Sequence, residues 1–60
     1  MAKFVLLTLL DGSPVVVNTS NIDIVQPLEG LPESSEIVDM EGSAIHVMEE
    51  VKLVYEYIIA

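Results

Sequence analysis

The chain reads as an α+β domain, mainly β: two β-hairpins form a small twisted antiparallel sheet, and a short C-terminal helix covers it. Three observations predict this. Two acid–glycine turns, Asp11-Gly12 and Glu41-Gly42, each sit between apolar runs of strand length. The apolar pattern then changes to helical spacing at Val51. Finally, sixty residues suffice for one small domain and no more.

The first hairpin spans residues 3–18. Phe4 to Leu10 is apolar with little alternation. Phe4, Leu6 and Leu10 point one way on a strand, and Val5, Leu7 and Leu9 the other. A strand apolar on both faces is central in a core or covered by a second subunit. Asp11-Gly12 predicts a type I′ turn, since both residue types tolerate positive φ. Pro14 lacks the N–H a ladder needs, so the return strand begins there or just after. Val15-Val16-Val17 are β-branched and stiff, and suit that strand.

A connecting segment, 19–35, follows. Ile22 to Val25 is a short extended or irregular stretch, and Pro27, Gly30 and Pro32 make residues 26–35 the one clear loop. The second hairpin covers 36–48. Its return strand puts Ile45 and Val47 on one face and Ala44, His46 and Met48 on the other. Asp11 to Val17 echoes Glu41 to Val47 at an offset of thirty residues. Hairpin turn chemistry is restrictive enough to produce such an echo without duplication.

The helix is expected over 49–59, with Glu49 and Glu50 at its N-terminus, where the dipole favours negative charge. Val51, Val54, Tyr55 and Ile58 form its apolar stripe. So short a helix is unstable alone and must dock.

Charge excludes several functions. Ten acids face two lysines and no arginine, for a net charge of −8. Binding to nucleic acid or anionic lipid needs clustered cations, so neither is expected. A basic protein partner is compatible, with Glu33, Glu36, Asp39 and Glu41 as the candidate acidic face; the plainer role of these acids is solubility. The apolar run after Met1-Ala2-Lys3 is too short for a membrane helix and lacks a signal-peptide cleavage pattern. A soluble cytoplasmic protein is expected, and the Asn18-Thr19-Ser20 sequon is then a chance match.

Catalytic constellations are missing. There is no cysteine, no Gly-rich phosphate loop, no zinc spacing and no nucleophile elbow. No cofactor or metal is expected, and the chain reads as a non-enzyme. His46 is the single histidine; its functional reading is a pH-sensitive contact with Glu41 or Glu49. Hydrophobic residues make up 52% of the chain, more than so small a domain can bury. The excess points to a homo-oligomer. Phe4, Leu6, Leu7 and Leu9 of the first strand, with Val51, Val54, Tyr55 and Ile58 of the helix, are the candidates for core and self-association surface.

The order of Leu7-Thr8-Leu9-Leu10-Asp11-Gly12, Val15, Val17-Asn18, Ile22, Val25, Ile37, Gly42, Ile45, Val47-Met48-Glu49 and Val51 resembles the short FlbD/SwrD-type proteins of bacteria, which have phage relatives. The resemblance covers nearly the whole chain. It implies a small β-rich fold with a C-terminal helix and an association with flagellar or swarming motility, and it carries no catalytic residue. A non-enzymatic, self-associating interaction module of bacterial or phage origin is the functional expectation. The alternatives are an acidic inhibitor seated in a basic groove of a host protein, and a motility factor.

Overall fold

A computed structural model describes residues 3–60. Met1 and Ala2, which open the signal-peptide-like segment, lie outside the described residues. The class is the expected one, mainly β with one short C-terminal helix. The sheet, however, is divided: β1 (Phe4–Thr8) pairs with β2 (Pro14–Asn18), while β3 (Ile22–Leu28), β4 (Leu31–Asp39) and β5 (Ala44–Val47) form a second antiparallel sheet. Helix α1 spans Val51–Ile59.

β1 alternates as its sequence predicts. Val5 and Leu7 turn inward, opposite Val17 and Val15; Phe4 and Leu6 turn outward, opposite Asn18 and Val16. The connecting turn is not type I′. Within this turn only Gly12 has positive φ, at 92°, and no non-glycine residue among the described residues does. Gly12 N–H donates to Leu9 O (2.9 Å) and Leu9 N–H to Ser13 O (2.8 Å). This is a three-residue loop with glycine in the left-handed position. Asp11 stays out of that region, and its carboxylate accepts the Ser13 N–H at 2.9 Å.

The β4–β5 turn repeats this geometry thirty residues later. Gly42 has φ 90°, its N–H donates to Asp39 O (3.0 Å), and Asp39 N–H donates to Ser43 O (2.9 Å). The carboxylate that braces it comes from a different place in the turn: Asp39 Oδ1 accepts from Glu41 N–H and Ser43 N–H.

The segment read as a loop, 26–35, is instead a hairpin of β3 and β4, turning at Glu29-Gly30 with Gly30 at φ 83°. Its prolines mislead for a positional reason. β3 is an edge strand, where Pro27 breaks no interior ladder. β5 reaches only Ser35 to Val38 of β4, so Pro32 lies where β4 has a neighbour on one side only. The register is irregular here, with Pro32, Glu33 and Ser34 interposed between the partners of Leu28 and Pro27. The connection proper is a 3-10 turn over Thr19–Asn21, capped by Asn18 Oδ1 on Ser20 N–H.

The two sheets meet at one corner. Leu9 bridges Val47, and Met48 N–H donates to Thr8 O at 2.7 Å. Glu49 closes this joint. Its side chain accepts the Thr8 N–H (3.0 Å), and its carbonyl accepts the hydroxyl of fully buried Ser35 (2.6 Å). Glu49 therefore lies outside the helix, and Glu50 is the residue preceding it, making no side-chain cap.

The core is Leu7, Ile37, Val47 and Val54, with Val5, Leu9, Val15, Val17, Ile22, Val25, Ile45 and Ile58 packed against it. β1, β2 and β5 supply alternate residues, whereas β3 supplies Ile22 and Val25, three apart across its register shift. The helix stripe is narrower than expected: Val54 is buried and Val51 and Ile58 half-buried, but Tyr55 is 60% exposed. Lys3 anchors the far end, its ammonium donating to the carbonyls of Ile58 and Ala60. A cation there suits the negative end of the helix dipole.

Candidate interaction surface

The eight residues expected to self-associate divide by burial. Leu7 and Val54 are fully buried within one chain and have no surface to offer. Leu9, Val51 and Ile58 are half-buried. Phe4, Leu6 and Tyr55 are exposed. The alternation of β1 is the cause: with odd positions inside, Phe4 and Leu6 must face out.

On that outer face Leu6 lies directly opposite Val16, one 65% and the other 64% exposed, with Phe4 two residues away at 61%. Val16 is the member sequence reasoning missed. Three consecutive valines gave no sign of which one faced out; the pairing register decides it. The full outer face is Phe4, Leu6 and Thr8 on β1 with Pro14, Val16 and Asn18 on β2. None of these six carries a charge, in a chain whose net charge is −8.

The outer face of the three-stranded sheet has a different character. Register places Gln26, Glu36 and His46 in one row across β3, β4 and β5. Gln26 Nε2 donates to Glu36 Oε1 at 2.7 Å, and His46 Nε2 lies 3.1 Å from Glu36 Oε2. His46 thus partners Glu36 rather than Glu41 or Glu49. Residues opposite one another across strands outrank sequence neighbours here. The Gln26 amide, and after it His46, hold the Glu36 carboxyl below its ordinary range. The Ser13 N–H similarly lowers Asp11.

The four acids proposed as one face are not brought together. Glu36 points outward into its polar row, while Asp39 shares the side of Ile37 and braces the turn. Glu41 sits at the exposed turn tip. Glu33 borders a shallow depression with Glu49, Glu50, Met48 and Leu53.

A second concavity, a cleft of about 250 Å³, opens between β2 and the inner side of β3–β5. Its walls are largely valine and isoleucine. No group of three or more His, Asp or Glu is placed to hold a metal ion among the described residues. No helix among them is long and apolar enough to cross a membrane. Comparison with protein-family models, curated proteins and solved structures finds no match for this chain.

Proposed function

We propose that this protein is a non-enzymatic, self-associating interaction module, and that two copies meet through the outer face of the β1–β2 hairpin. The observation that carries the reading is the charge-free apolar strip of Phe4, Leu6 and Val16, each about two-thirds exposed. Burying such a strip against its own copy removes apolar area from water at about 25 cal/mol per Å². A face without carboxylates is also where a strongly acidic chain meets itself with least repulsion. The interior so gained supplements a core of four buried hydrophobic side chains among the described residues. The role follows the FlbD/SwrD resemblance, an accessory or regulatory factor in the cytoplasm of a bacterial or phage-infected cell.

The acidic-inhibitor reading has less support, because Glu33, Glu36, Asp39 and Glu41 do not share a face. Light scattering on a gel-filtration column tests the proposal. The native chain should run above its 6.6 kDa monomer mass at micromolar concentration. Leu6→Lys should shift it to monomer with an unchanged circular-dichroism spectrum. A native chain that is already monomeric there overturns the reading.

A further inference from the structure

β2 has a free edge. Among the described residues it pairs with β1 alone. Bonded pairs alternate along an antiparallel ladder. The bonds from Leu9 to Ser13 and from Thr19 to Lys3 set the phase, so Val15 and Val17 turn their amides toward β1. Val16 and Asn18 turn theirs away. The same alternation is visible on β1, where Thr8, out of phase with Leu7, gives its N–H to Glu49 and accepts from Met48 on the far side.

The 250 Å³ cleft runs along this edge. Val15, Val16, Val17 and Asn18 line it consecutively. Successive side chains of a strand alternate faces, and the Val16 side chain belongs to the outer face. The cleft therefore borders the strand's backbone as well as one of its faces. Ile22, Ile37 and Ile45 form the opposite wall. The space falls short of the ~300 Å³ of a drug-sized pocket and suits one large aliphatic side chain.

We propose that this seam receives an extended segment of a basic protein: its backbone pairs with the free edge of β2, one large aliphatic side chain enters the cleft, and flanking lysines or arginines face the acids around the rim. Adding a strand to an open edge is a recurring mode of peptide recognition, in which backbone bonds supply affinity and pockets for alternate side chains supply specificity. Charge selects the occupant. Asp39 is on the rim, Asp23 adjoins Ile22, and Glu41 lies in the turn that Asp39 braces. Lys3 is engaged at the end of the helix, and Lys52 is on the helix itself. A second copy, itself of net charge −8, is repelled by this acidic rim, whereas a basic segment is drawn to it. The seam adjoins the Phe4–Leu6–Val16 face at Val16, whose side chain belongs to that face and whose amide belongs to the edge, and the proposal does not depend on self-association there.

The test is a titration of the ¹⁵N-labelled full chain with the peptide Lys-Thr-Lys-Thr-Leu-Thr-Lys-Thr-Lys, followed by NMR. The amides of Val16, Asn18, Ile22 and Ile45 should shift, and hydrogen exchange at Val16 and Asn18 should slow. Replacing the peptide's leucine by serine, or its lysines by glutamates, should weaken binding at least tenfold. Asn21→Lys in the protein should do the same. Asn21 is an exposed rim residue whose side chain makes no hydrogen bond among the described residues, so the variant's spectrum should otherwise match the native one. Three results would overturn the proposal: no shifts at millimolar peptide, shifts confined to the Phe4–Leu6 face, or equal binding of the acidic peptide. A concentration-dependent shift of Ile22 and Ile45, on the wall of the cleft away from the Phe4–Leu6–Val16 face, without peptide would assign the seam to a second copy and overturn it too.

Discussion

The hairpins β1–β2 and β4–β5 share a turn and differ in almost everything the turn does not control. Both loops place glycine at φ near 90° and close with the same two backbone bonds. The second hairpin acquires β3 as a third strand, and its outer face carries the hydrogen-bonded row of Gln26, Glu36 and His46. The first remains two-stranded, and its outer face is the uncharged strip of Phe4, Leu6 and Val16. Turn chemistry decides where a chain reverses. Neighbouring strands decide whether the resulting faces and edges are satisfied. A two-stranded hairpin is marginal alone, and here the first is held by its inner face on the core and by the joint at Thr8 and Leu9.

The sharpest way to break the comparison is to exchange inner for outer within β1. Leu7→Ala removes a fully buried side chain and should cost about 2–5 kcal/mol in urea denaturation. A sixty-residue domain has only roughly 3–9 kcal/mol in total, so this loss is a large fraction of its stability. Leu6→Ala should lose well under half as much, measured on the same protein concentration series. Equal losses would mean that the two faces of β1 are not distinguished as described.

The equivalence of the turns is tested by Gly12→Ala and Gly42→Ala. An added Cβ meets nothing within 4 Å at either site, so the cost is backbone strain alone. Each substitution should destabilise by about 1–2 kcal/mol, the penalty for an L-residue in the left-handed region. The two losses should agree within experimental error. A clear difference would show that one turn carries strain the other does not.

The smallest effect separates the outer faces. Glu36 has its folded pKa lowered by Gln26 and His46. Its stabilising contribution is therefore present above the carboxyl's unfolded pKa and is lost as pH falls through the lower folded value. Glu36→Gln should flatten that part of the stability-versus-pH curve slightly, and the effect should shrink in high salt because the row is exposed. A matching acid-range change on mutating Thr8, which lies on the uncharged face, would detach the effect from this row.

Much of the fold was legible locally. The alternation of Val5 and Leu7 against Phe4 and Leu6, both acid–glycine turns and the helical spacing from Val51 are set by residues close in sequence. The failures have one origin. Pro27 and Pro32 read as loop because a proline's compatibility with a strand depends on whether its edge is paired, and that is decided by a strand elsewhere in the chain. Tyr55 fitted the helical stripe, but the packing of the helix on the sheets leaves it 60% exposed. His46 found Glu36 through register, ten residues away in sequence.

The sequence by itself determined where the chain turns, which residues alternate, and that its apolar content exceeds what sixty residues can bury. The tertiary structure alone decided which surplus residues are left outside, and which strand edge is left open. Those outcomes depend on pairing between strands distant in sequence, and on the joint where Glu49 links Thr8 of one sheet to Ser35 of the other. Local pattern encodes a strand's two faces; only its neighbours determine which of them meets water.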